Sequence, residues 1–218
     1  MAGFPWKFHF VRFVTHVLAA HLVSMSLPSL AVADVEIAPF AGFRLGGDID
    51  LRDRASERES RLELDEGGSF GLVVNLDLAE PGKQAELYIA RHDTKASSIL
   101  PFAGDTTTLD LMIYQVQVGG LYFPGGQTSG GFVSGVAGVT RLEPKDHEFD
   151  SHHRASISLG GGYKLPLTDQ LLVRFDLRGI YTVLDSGGAV FCSGGCSVRF
   201  ESSGYFQGEV SAGLAFRF

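Results

Sequence analysis

The chain has 218 residues, a formal net charge of −7 and 20% charged residues, with 28 Gly and 17 Phe. A composition this rich in apolar residues excludes an intrinsically disordered chain, and an acidic balance with no basic stripe excludes a nucleic-acid partner. Beyond the N-terminal segment no stretch carries the roughly 18 consecutive apolar residues of a membrane helix, so a membrane crossing here has to be made by strands closed into a barrel.

The first 33 residues differ from the rest. Lys7 and Arg12 give a positive start, an apolar run follows from Phe13 to Val23, Pro28 breaks it, and Ala31-Val32-Ala33 forms an A-x-A cleavage site before Asp34. That three-part pattern predicts a helical signal peptide over residues 1–33 and a mature domain over 34–218. His16 and His21 interrupt the apolar run and argue against a retained membrane anchor. Cleavage would remove Lys7 and Arg12 and leave the mature chain more acidic still.

The mature region reads as strands with period-two patterning. Val35 to Leu45 sets Ile37, Ala41, Phe43 and Leu45 against Glu36 and Arg44. Phe70 to Leu78 sets Phe70, Leu72, Val74, Leu76 and Leu78 against Asn75 and Asp77. Gln84 to His92 sets Ala85, Leu87 and Ile89 against Glu86 and Tyr88; Leu109 to Tyr122 sets Tyr114, Val116, Val118 and Tyr122 against Gln115 and Gln117. Phe132 to Leu142, rich in Gly and small residues, has the weakest alternation. Ala155 to Tyr163 sets Ile157, Leu159 and Tyr163 against Ser156, Ser158 and Gly160. Leu171 to Leu184 sets Val173, Phe175, Leu177, Tyr181 and Val183 against Arg174, Asp176 and Arg178. The last, Tyr205 to Phe218, sets Phe206, Val210, Leu214, Phe216 and Phe218 against Gln207, Glu209, Ser211 and Arg217.

The connections alternate in length. Gly46 to Gly68, Asp93 to Thr108, Glu143 to Arg154 and Asp185 to Gly204 are long; Ala79 to Lys83, Phe123 to Thr128 and Leu165 to Gln170 are short. This predicts an all-β fold, an eight-stranded antiparallel up-and-down barrel with its long loops at one end and both mature termini at the other. Cys192 and Cys196, spaced C-S-G-G-C in the last long loop, are expected to form a disulfide in an exported chain, since two thiolates without a nearby His make a poor zinc site.

Alternation alone fits two barrels that are inside-out versions of each other: a soluble periplasmic lipocalin-like carrier and a transmembrane barrel. Three features favour the membrane form. The polar face is rich in Gly, Ser, Gln and Asn rather than scattered Lys and Glu. Aromatics fall near strand ends, at Phe43, Phe70, Tyr122, Phe123, Tyr163, Tyr181, Tyr205 and Phe206, as in interfacial girdles. The last strand also closes on Phe218, in phase with Val210, Leu214 and Phe216. Tyr205 to Phe218 resembles the C-terminal signal of bacterial outer-membrane proteins, and the mature region resembles their small eight-stranded barrels of the OmpA/OmpX/opacity-protein type. The resemblance rests on architecture and terminus rather than on an internal motif. It implies a Gram-negative outer-membrane location, recognition of Val210, Leu214, Phe216 and Phe218 by the barrel-assembly machinery, and outer-membrane lipids and lipopolysaccharide as surroundings.

The candidate site is the charged inner face: Arg44, Asp77, Glu86, Arg174, Asp176, Arg178, Glu209 and Arg217, with Arg141 from the ambiguous strand. Side chains nearly fill an eight-stranded bore, and buried charges have to pair, so a salt-bridged plug is favoured over an ion path. The Arg- and acid-rich stretch from Asp48 to Glu66 and the group His147, His152, His153, Asp146, Glu148 and Asp150 read as solvated loops rather than metal sites. Lipid A deacylases carry an H-x-S pattern on a strand; here His92 precedes Asp93 with no Ser two residues on, so no catalysis is expected. The expectation is a monomeric, structural or surface-exposed barrel without cofactor, with a narrow ion-conducting pore as the second reading and a lipid A-modifying enzyme as the third.

Overall fold

The computed structural model describes residues 34–53, 59–99, 106–145, 151–184, 198–200 and 204–218. Residues 1–33, read from the sequence as a signal peptide, and the expected disulfide pair Cys192 and Cys196 lie outside these residues. Eight long strands form the wall: β1 (Val35–Leu45), β4 (Gly67–Asp77), β5 (Lys83–Ile99), β6 (Thr106–Tyr122), β7 (Gly130–Pro144), β8 (His152–Pro166), β9 (Leu171–Val183) and β11 (Gly204–Arg217). Each pairs antiparallel with its neighbour in chain order, and β11 pairs back onto β1 through Arg44↔Glu209 and Glu36↔Arg217, which closes the barrel. Closure leaves no free edge among the eight, as a strand structure in lipid demands.

The burial pattern decides between the two inside-out barrels. The apolar half of each alternation faces out: Leu159 is 65% exposed, Leu177 64%, Val118 63% and Phe206 62%. The polar half faces in, where Arg44, Glu36, Lys164 and Gln84 are fully buried. A soluble barrel has the opposite arrangement, so the lipocalin-like reading falls. An apolar exterior around a polar bore is stable only where lipid covers the outside.

Turn chemistry fixes the short-turn end. Between β4 and β5 the chain reverses over Leu78 to Lys83, with Leu78 N–H donating to the Lys83 carbonyl at 3.0 Å. Gly82 makes the reversal at φ 71°, and a Cβ there would come within 2.8 Å of the Phe123 carbonyl. Only glycine meets both demands at low cost. Val35 and Phe218 exchange backbone hydrogen bonds at this same end.

The long-loop end differs from expectation. Strands β5 and β6 run 17 residues each and stay paired from Lys83↔Tyr122 to Ile99↔Thr106, so most of the stretch Asp93 to Thr108 is strand, not loop. The stretch Gly46 to Gly68 carries a hairpin of β2 (Asp48–Asp53) and β3 (Glu59–Leu64), and β3 continues the wall by pairing with the outer half of β5. A short strand, β10 (Val198–Phe200), adds to β2. Charge density hid this, although Ile49, Leu51, Leu62 and Leu64 already sit at period two.

The phase of β7 also needed the structure. Phe132, Val136 and Leu142 face in while Val133 and Val139 face out, so hydropathy does not alternate along it. Arg141, expected inside, faces out and pairs with Glu143 at 3.1 Å. Two expected girdle aromatics are corrected likewise. Phe123 and Tyr205 are 1% and 2% exposed and point inward, Phe123 against Phe132 with ring centroids 5.5 Å apart. Tyr205 shares the parity of Gln207 and Glu209, so the pleat turns it into the bore. Phe43, Phe70, Tyr122, Tyr163, Tyr181 and Phe206 face out as expected.

Candidate functional site

The bore is filled by three linked charge clusters. Nearest the short turns, the Lys164 ammonium donates to Glu36, to Gln84 Oε1 at 2.7 Å and to Asn75 Oδ1 at 3.2 Å. Arg217 holds the other Glu36 oxygen through Nη2 at 2.6 Å and Nε at 3.1 Å. Asp77 accepts from Gln84 Nε2 at 2.5 Å. Phe123 lies under the Lys164 ammonium, 5.5 Å from ring centroid to nitrogen.

The second cluster sits in mid-bore. Glu86 accepts from Arg174 Nη2 at 2.8 Å, from Arg178 Nη2 at 2.9 Å and from Asn75 Nδ2 at 3.2 Å. Asp176 takes Arg174 through Nε and Nη2, both at 2.7 Å, and lies 3.6 Å from Arg178. Arg174 also donates to Asn75 Oδ1 at 2.8 Å, which joins this cluster to the first. The period-two alternation of β9 places Arg174, Asp176 and Arg178 in one inward row.

The third cluster is Arg44, Glu209 and Tyr88. Arg44 donates to Glu209 Oε2 from Nη2 at 2.6 Å and from Nε at 3.1 Å. The Tyr88 hydroxyl donates to Glu209 Oε1 at 2.6 Å and accepts from Arg44 at 3.2 Å. The Arg178 guanidinium lies 4.3 Å over the Tyr88 ring, and that contact ties the third cluster to the second. Beside them a neutral network runs from Gln117 to Ser156 at 2.8 Å and to Ser158 at 2.6 Å.

Of the nine interior residues expected from the sequence, all but Arg141 face the bore, and of those eight all but Asp77 join ion pairs. Two members were missed. Glu36 had the right parity but was set aside, and Lys164 lay one residue beyond the expected end of its strand at Tyr163. Continuing the alternation of β8 by one step would have found Lys164. His92, expected at a strand end beside Asp93, is instead buried inside an extended β5, with Nδ1 3.1 Å from the Gly68 carbonyl oxygen, while Asp93 faces out. His152 and His153 open β8, and the other members of that group lie outside the described residues. Among the described residues no group of His, Cys, Asp and Glu is placed to hold a metal ion.

The three clusters set Arg44, Lys164, Arg174, Arg178 and Arg217 against Glu36, Asp77, Glu86, Asp176 and Glu209, and Arg154 lies on the same inward face of β8. A crossing ion would have to break multiply bonded pairs, each held away from water where an uncompensated charge costs several kcal/mol. Fold and bore together define a small, eight-stranded, internally salt-bridged transmembrane β-barrel.

The comparisons place that class more closely. No protein-family model and no curated protein sequence matches the chain. Among solved structures, it is similar to the outer membrane protein OprG from Pseudomonas aeruginosa, with 14% identity over 86% of this chain and 96% of that one and a TM-score of 0.55. It also matches outer membrane protein AlkL, solved in lipid bilayers, at 12% identity over 85% and 90% of the two chains, TM-score 0.48. Neisserial surface protein A matches at 12% identity over 85% and 97%, TM-score 0.43. The chain has the fold of the small outer-membrane barrels.

Proposed function

We propose that this protein is a structural, surface-exposed barrel of the Gram-negative outer membrane, acting through its outward faces and long loops rather than through its bore. The carrying observation is the hydrogen-bonded charge filling of the interior, in which Glu36, Glu86 and Glu209 each accept from two or more donors. Such a filling stabilises the wall and sets the charges of the three clusters against one another. The mature chain is expected to fractionate with the outer membrane and to migrate faster in detergent gels before boiling than after. Recovery in the soluble periplasm would overturn the reading.

The same filling predicts electrical silence. Protein reconstituted in a planar bilayer is expected to give no steady single-channel current, because a crossing ion would have to break the buried pairs of all three clusters. A steady ion-selective current would replace the plug reading with the narrow-pore one.

A further inference from the structure

The outward charges at the long-loop end fall on one side of the barrel. Among the described residues, β9, β11 and β1 carry only uncharged side chains on their outward faces, while β5, β6 and β7 carry charged ones there. Strand register lines these up in rows. Phe70↔Arg91, Arg91↔Tyr114, Tyr114↔Arg141 and Arg141↔His153 form one continuous row across five strands. The row below it, toward the short turns, is apolar, including Ile89, Val116 and Val139. The row above holds the carboxylates, Asp93 and Glu143, on either side of Met112.

The cation row is built, not scattered. Arg91 lies between two rings, 5.7 Å from the Phe70 centroid and 5.5 Å from that of Tyr114, and Asp93 holds it by three contacts at 3.1 Å. Beside it, Tyr114, Val116, Val139, Arg141, Glu143 and His153 line an outward groove of about 580 Å³. Arg91 stands eight residues along β5 from Lys83, a climb of about 20 Å for a strand tilted as barrel strands are. That height matches the top of an apolar band about 25 Å tall, the level of outer-leaflet headgroups.

We propose that this groove binds a phosphorylated, multiply acylated glycolipid of the outer leaflet, the lipid A portion of lipopolysaccharide. The proposal rests on the membrane-barrel reading above. Val116 and Val139 form the floor for an acyl chain. Arg141 and His153, cross-strand neighbours with exposed heads, face the phosphate. Outward cations cluster here: Arg91, Lys95, Arg141 and Lys145 stand on β5 and β7, Arg91 paired with Asp93 and Arg141 with Glu143, and the phosphate takes the guanidinium N–H groups that these pairs leave exposed. The acyl floor and headgroup rim stand at the heights an outer-leaflet lipid presents them, which a soluble partner has no reason to match.

The test uses the full mature chain in phosphatidylcholine nanodiscs containing lipid A, dephosphorylated lipid A or phosphatidylglycerol, with retained lipid counted by native mass spectrometry. The wild type is expected to retain lipid A, and Arg141→Gln with His153→Gln to retain it about tenfold less, the loss of one or two charge-assisted hydrogen bonds. Phe43→Ala on β1, four strands round the wall from β7, is expected to match the wild type. Equal retention by the double variant, or equal retention of dephosphorylated lipid A or of phosphatidylglycerol, overturns the proposal and leaves the barrel intact. A concentration-dependent dimer that excludes lipid A also overturns it, giving the groove to a second copy. A chain that does not enter nanodiscs at all overturns the membrane reading and this proposal with it.

Discussion

Glu86→Ala is expected to lower the unfolding free energy by about 3–5 kcal/mol, the largest loss of any single interior substitution, because it strands two buried cations at once. Arg174 and Arg178 both donate to Glu86, and their exposures are 1% and 2%. With Glu86 gone, Asp176 alone serves both guanidiniums, and its contact with Arg178 is already 3.6 Å long. Asn75 Nδ2 loses an acceptor as well. The outward pair Arg141 and Glu143 is the internal control: its side chains are 46% and 34% exposed, and Arg141→Ala is expected to cost less than about 1 kcal/mol. Urea titration of the reconstituted barrel, followed by circular dichroism, gives both values. Similar small losses for the two variants would mean that water reaches Glu86 freely and that the bore is not a plug.

Leu177→Arg should destabilise the inserted barrel by about 2–4 kcal/mol, as charged residues do on a lipid face near the membrane midplane. Leu177 is 64% exposed and lies at the middle of β9, with Phe175 and Gly179 on the same face. On a water-facing sheet the same substitution is nearly neutral, since surface changes away from special features stay within about 0.5 kcal/mol. The experiment therefore distinguishes the two solvents directly. The depth dependence sharpens it: Phe43→Arg, at the long-loop end of β1, should cost only about 0–1 kcal/mol because its head reaches the interface. Equal, small effects at both positions would remove lipid from the outside of the barrel.

The two predictions draw on different parts of the same pattern. One concerns the side of each strand that faces the bore, the other the side that faces lipid, and both sides follow from a pleat of period two. The sequence alone settled which residues share a side. The opposition of Leu177 to Arg178, of Val210 to Glu209 and of Phe43 to Arg44 is visible without coordinates, and so is the alternation of long and short connections that makes an up-and-down barrel. Where hydropathy does not alternate, the signal vanishes. Along β7 apolar residues occupy both faces, and Arg141 was assigned to the wrong one.

Which of the two sides is the inside was decided by the closed structure, as was the pairing within the bore. Arg44 meets Glu209 across 165 positions of chain, and Lys164 meets Glu36 across 128. Parity says that these four residues face the same space, but their meeting depends on strand register and on the stagger that accumulates around a closed barrel. The row Phe70, Arg91, Tyr114, Arg141 and His153 is a product of register in the same way, assembled from five strands. Local alternation fixes a direction for each side chain because it is a property of one strand's backbone. A partner on another strand is fixed only when every strand between them is in register, and that is a property of the whole barrel.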